Sequence, residues 1–174
     1  MSETVDAPSV HEELERARAI FRSFVRSATP EALQRPSDGT EWTNEQLLFH
    51  MLFGYLVVLR LLPLVRLFGR LPDRYSRVFA RVLNAVTAPY DRINYLGSCG
   101  GALVFRGPRL LRRFDRTIAA LHAKLDGETG ETLGRRMHFP DRWDPFFTDT
   151  MTLLDVYHFG TQHFDFHARQ LTLG

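Results

Sequence analysis

A chain of 174 residues with 44% hydrophobic content and a net charge of +2 can form one domain with a real core, and it is no polycation. Its pI of 9.0 comes from arginine, because Lys124 is the only lysine, so the basicity is weak evidence for nucleic-acid binding. Cys99 is the only cysteine, which excludes an internal disulfide or a cysteine-rich metal site and makes a reducing cytoplasm the simplest setting.

Met1 to Pro8 read as a loose tail, acidic and polar where a secretory signal would need a basic start and an apolar run. Ser9 and Glu12 fit a capping box, and Leu14, Ala17, Phe21, Phe24 and Val25 then share one side of a helix ending near Ser27. Thr29-Pro30-Glu31 can start a short turn before Pro36-Ser37-Asp38-Gly39 breaks the chain. Thr43 and Gln46 form a second capping box, flanked by Trp42 and Leu47 as a hydrophobic staple. The helix it opens carries His50 inside the otherwise apolar run Leu47 to Phe53. An unpaired buried polar group costs on the order of 1–3 kcal/mol, so His50 must be hydrogen-bonded, ligated or turned to a cavity. Leu47 to Phe68 is the one stretch for which a membrane span can be argued. His50, Arg60, Pro63 and Arg66 count against it, and a buried helix bent at Pro63 is the expectation.

Arg66, Arg70, Arg74, Arg77 and Arg81 recur at helical spacing, with Leu67, Leu71, Val78, Phe79, Val82 and Leu83 between them and a break near Pro72. Such a segment can lie on an anionic membrane surface or meet an acidic partner. The expectation here is a solvated basic face whose apolar side packs on the domain. Thr87 to Gly107, rich in glycine, reads as a long loop over a substrate entrance. Tyr90, Tyr95 and Arg106 are its candidate substrate contacts, and Cys99 within it is expected to be inert for want of a base. Pro108 opens a further helix to Gly127, with Leu110, Leu111, Phe114, Ile118, Leu121 and Leu125 as its stripe. His122 and Lys124 in its last turn suit the helix dipole. Thr129 to Asp144 is a connector, and Asp144 with Pro145 marks the expected start of the last helix. No strand alternation, P-loop or nucleophile elbow is present in the sequence.

The last helix holds His158, His163 and His167. Residues four apart stand one turn apart with Cβ atoms about 5–6 Å from each other, so the rings of His163 and His167 can reach one metal ion. The alternative is a satisfied pair of core histidines. His158 lies roughly 140° round the helix from His163, which makes it a poor ligand for the same ion. His50 is the candidate third ligand. Gly160, one turn before His163, reflects either close helix packing or room for a ligand.

Trp42-Thr43, Leu47-Leu48 and His50 near the start of the second helix, with His163-x-x-x-His167-x-x-Gln170-Leu171 on the last, resemble the DinB/YfiT-like superfamily. The likeness implies an all-α four-helix bundle over residues 1–174, with additional short helices and the long loop before the third main helix. It implies a divalent metal, zinc or nickel, on His50, His163 and His167. Ala168-Arg169-Gln170 replaces the Arg-Gly-Gln of many relatives. Gln46, Gln170, His158 and His138 are the candidate rim and supporting residues.

The resemblance leaves the reaction open between bacterial S-transferases or isomerases using a thiol such as mycothiol or bacillithiol, hydrolases, and members without known activity. Thiol transfer ranks first, because the resembled family contains clear instances of it and an arginine-rich rim would suit a carboxylate-bearing thiol or other acidic substrate; the lack of an evidently placed carboxylate base favours it slightly further. A metal-dependent hydrolase of a small acidic substrate ranks second. The third reading is a non-catalytic bundle stabilised by metal, or a homodimer through the apolar surface around Leu61 to Leu71. A small-molecule substrate is the expected partner, with no nucleic acid, no transmembrane span and a cytoplasmic location.

Overall fold

The structure, a computed structural model, describes residues 7–173. The tail assigned to residues 1–8 therefore falls mostly outside the described residues. Its end does not: Ala7 already begins α1 (Ala7–Ser27), and Ser9 lies inside the helix, its hydroxyl directed to Glu13 instead of capping. α2 (Pro30–Gln34) follows with Thr29 as its cap, and α3 (Asn44–Phe68) opens on the Thr43/Gln46 capping box. α4 spans Arg74–Ala85, α5 Thr87–Val104, α6 Pro108–Asp126 and the one-turn α7 Gly130–Leu133. α8 (Leu153–Ala168) ends the fold.

α1, α3, α6 and α8 form the bundle, because each brings an apolar stripe to a common axis. One ring from each meets at the centre: Phe21 stacks on Phe114 at 3.9 Å, Tyr55 meets Phe114 edge-on at 5.5 Å, and Phe164 lies 6.1 Å from both Tyr55 and Phe114. All four are essentially inaccessible to solvent, and each such side chain contributes about 1.5–3 kcal/mol through burial. α3 is long and apolar enough to cross a membrane, yet 56% of its most apolar window is buried, which is consistent with the core helix of a soluble protein. It runs through Pro63 as one helix.

Two glycines set how closely α3 and α8 approach. A Cβ on Gly160 would stand 2.8 Å from the Tyr55 ring, and one on Gly54 would stand 2.4 Å from Nδ1 of His163. Gly160 therefore serves helix packing, and Gly54 makes room for a histidine ring.

The segment Thr87 to Gly107 is not the expected loop. Thr87–Val104 is helical, with Pro89 in the first turn, where a missing N–H costs nothing. Gly101 is where α5 crosses α3: a Cβ there would fall 2.1 Å from the Phe49 ring. That close approach, and not a turn, is the reason for a glycine.

The basic segment is also only partly as expected. Ala80 is buried and Phe79 packs on Phe68, but Val78 and Val82 face solvent. Apart from Phe166, the large apolar side chains exposed among the described residues all lie between Leu67 and Val104.

The last helix starts later than Asp144 and Pro145 suggest. Arg136–His138 (β1) pairs antiparallel with Thr150–Thr152 (β2), and α8 begins at Leu153 under a Thr152/Asp155 capping box. Strands of three residues are too short to leave a periodic trace in sequence.

Candidate metal centre

His50 sits in the second turn of α3, and His163 and His167 stand on consecutive turns of α8 across the interface that Gly54 and Gly160 permit. Their ring centroids are 4.9 Å (His50–His163), 4.7 Å (His50–His167) and 4.5 Å (His163–His167) apart. One ligand atom from each lies within 4.8 Å of the others, and all three residues are buried. Among the described residues no other group of histidine, cysteine and carboxylate side chains has this arrangement.

The hydrogen bonds determine which nitrogen of two rings is free. Ser98 Oγ donates to the Asn94 carbonyl at 2.9 Å, so at 3.1 Å it accepts from Nδ1–H of His50. Gln170 Oε1 accepts from Nδ1–H of His167 at 2.7 Å. Both rings then present an unprotonated Nε2, the form a metal needs, and such outer partners fix tautomer and orientation. His163 Nδ1 is buried against Gly54 with no hydrogen-bond partner among the described residues, while its Nε2 stands 3.9 Å from Asp144 Oδ2.

Burial, reinforced by His167, pushes His50 down to about 3. Burial and then its two neighbours hold His163 well below the usual histidine value. Burial lowers His167 as well, against the opposing hydrogen bond it donates to Gln170. Three buried, neutral imidazoles with a ligand atom of each within 4.8 Å of the others fit a divalent cation by donor type and spacing.

The surroundings come from segments outside the bundle. Trp42 stacks on His50 at 4.3 Å. It is held there because Ser37 Oγ–H and the Ser37 amide both donate to the Trp42 carbonyl, while Asn44 ties α3 to Thr172. α5 directs Tyr90, Asp91, Asn94, Tyr95 and Ser98 to this side at helical spacing. Asp144 is not a helix cap. Its carboxylate accepts from the Phe146 amide at 2.9 Å in a tight turn, and the turn is braced by Trp143, which stacks on Tyr90 at 3.9 Å and donates Nε1–H to the Leu83 carbonyl. Burial, partly offset by that amide, raises Asp144 to about 6.

A small void of about 20 Å³ between His50, His163, Asn94, Tyr90 and Asp144 lies on the inner side. A larger cavity of about 390 Å³ opens outward from His167 and Gln170 and is lined by Trp42, Asn94 and Tyr95.

Several expected residues lie elsewhere. His138 bridges Asp73 and Asp149 at 3.0 and 3.1 Å, beside Arg77 and Arg81 in a separate cavity. His158 pairs with Glu13 of α1. Gln46 is engaged by the Thr43 amide within the cap. Arg106 is exposed, pairs with Glu45, and lines neither cavity at the histidines. No arginine lines those cavities, so the expected arginine-rich rim is absent there.

The model of the DinB superfamily matches residues 13–171. The chain belongs to the DinB superfamily. No curated protein and no solved structure matches it. Membership and the buried histidine trio together fit a metal-binding protein.

Proposed function

We propose that this DinB-superfamily protein is a metal-dependent enzyme acting on a small molecule, with His50, His163 and His167 as the ligands and Asp144 as proton acceptor for the attacking nucleophile. The observation that carries this reading is the half-buried Asp144 carboxylate, 3.9 Å from Nε2 of His163. A divalent cation held by three imidazoles supplies an open coordination position and Lewis acidity, which brings water or a thiol toward its anion near neutral pH. Asp144 is held by its own turn, which the Trp143–Tyr90 stack braces. Asn94 and Tyr90 close the inner side and limit the water around it.

One of the lesser grounds for thiol transfer in the sequence is the lack of an evident carboxylate base, and the arginine-rich rim, a second ground, is absent at the histidines. Asp144 removes the first ground, and hydrolysis becomes the better supported reaction. Thiol transfer stands second, favoured by a cavity of about 390 Å³, which has room for a cosubstrate beside an electrophile. The native metal, zinc or nickel in this reading, is part of the same proposal.

The test uses untagged protein loaded with either metal and assayed against esters, amides and lactones, and separately against electrophiles with low-molecular-weight thiols. Thiol-independent turnover is expected. Asp144→Asn should lower kcat by about 10²–10⁴-fold with metal content unchanged. Turnover that requires a thiol and ignores this substitution would reverse the ranking. Loss of metal in the variant would make Asp144 a fourth ligand and favour a closed, structural site.

A further inference from the structure

The outward cavity at His167 differs from its surroundings in charge. In a chain with 22 arginines and lysines, none lines this cavity, whereas Glu41 and Asp91 both do. Its remaining walls include three aromatic side chains, Trp42, Tyr95 and Phe166. Trp42 and Tyr95 are stacked at 6.1 Å with an 18° interplanar angle, and Phe166 lies edge-on to His167 at 5.1 Å. Phe166 is 38% exposed, the one large apolar side chain exposed outside the Leu67–Val104 segment among the described residues. Asn94 Oδ1, on the wall shared with the inner void, is buried and accepts no hydrogen bond from the described residues.

Each feature selects for the same chemistry. Ring faces attract a cation through their quadrupole. Carboxylates at the mouth pair with it, and an unused carbonyl oxygen takes an N–H donor. A carboxylate-bearing ligand would instead meet two like charges.

We propose that this cavity selects substrates carrying a positively charged amine, a primary or substituted ammonium, and disfavours acidic ones. The inference deepens the reading of the adjacent histidines as a reacting centre and reverses the sequence-based expectation of an acidic substrate.

The test separates the two. Benzylammonium, benzyl alcohol and benzoate are titrated into the full chain with and without added zinc, and into His163→Ala, whose altered side chain lines the inner void and not this cavity. Binding is read from amide and indole shifts of Trp42 and Asn94 in NMR spectra. Benzylammonium should bind at least about tenfold tighter than benzoate in His163→Ala, where no metal centre can attract the carboxylate. The pair Glu41→Gln with Asp91→Asn, both at exposed positions, should cut that preference by about tenfold. Equal or tighter benzoate binding in His163→Ala, or an unchanged preference in the double variant, overturns the proposal. Retained ammonium binding together with absent turnover leaves it standing and removes the metal reading instead.

Discussion

The imidazoles come from α3 and α8, whose contact is fixed in the middle of the bundle by Tyr55, Gly160 and Phe164. Most groups that orient and surround them come from α5 and from the connector ahead of β2: Ser98 and Asn94 from one, Asp144 from the other. The difference teaches that the ligand frame and its tuning are built by separate parts of the chain. Bundle packing brings the three rings together, while the inserted segments determine which nitrogen of His50 is free, what accepts a proton and what lines the approach.

Substitutions can pull the two regions apart. The largest effect outside the ligands themselves should come from Asp144→Asn, which leaves the frame intact and removes the proton acceptor. Ser98→Ala comes next. It deletes the acceptor of His50 Nδ1–H, and metal affinity measured by competition with a chelator should fall about 10–100-fold with thermal stability nearly unchanged. Unaltered affinity would mean that the bundle alone sets the ring.

Gly101→Ala tests how α5 is seated. Its new methyl would meet the Phe49 ring, already buried and stacked on Phe105, so chemical denaturation should show a loss of about 1–3 kcal/mol from overpacking. Gly97→Ala, where a Cβ meets nothing within 4 Å, should instead gain up to about 1 kcal/mol from helix propensity. Equal outcomes at the two positions would remove the close crossing of α3 and α5.

The smallest effect concerns the tie between α4 and β1. Burial lowers His138, but the hydrogen bonds it donates to Asp73 and Asp149 outweigh it, and the net shift is upward. A raised folded value stabilises below the ordinary value of 6.5, and that stabilisation is lost as pH rises through the raised value. The melting temperature of the wild type should exceed that of His138→Gln at acidic pH, with the gap narrowing above neutrality. A gap that widens with pH would contradict the sign.

The bundle was legible because its signals are local and periodic. The Thr43/Gln46 box, the stripes of α1 and α6, and the i,i+4 spacing of His163 and His167 each follow from neighbours along the chain. His50 could be singled out as a polar group in an apolar run, and structure and family then agree on a metal-binding protein. α5 was not legible, because its glycines read as turns until Phe49 is seen across from Gly101. Asp144 is ambiguous in the sequence for a related reason: a helix cap and a tight turn use the same side-chain oxygen and a nearby amide, and only the position of β2 separates them. The helical spacing of Tyr90, Asp91, Asn94, Tyr95 and Ser98 was the available signal for a helix lining the site. The arginines misled because spacing along α4 does not reveal which cavity they border.

The central claim is that three rings from two helices hold one cation. The direct measurement is the metal content of untagged protein with the X-ray absorption spectrum of the bound ion, for the wild type and for His163→Ala. One equivalent of a divalent metal with about three nitrogen ligands near 2.0–2.1 Å, lost in the variant, is the predicted result. Substoichiometric metal in the wild type, or the same content and spectrum in His163→Ala, would contradict it.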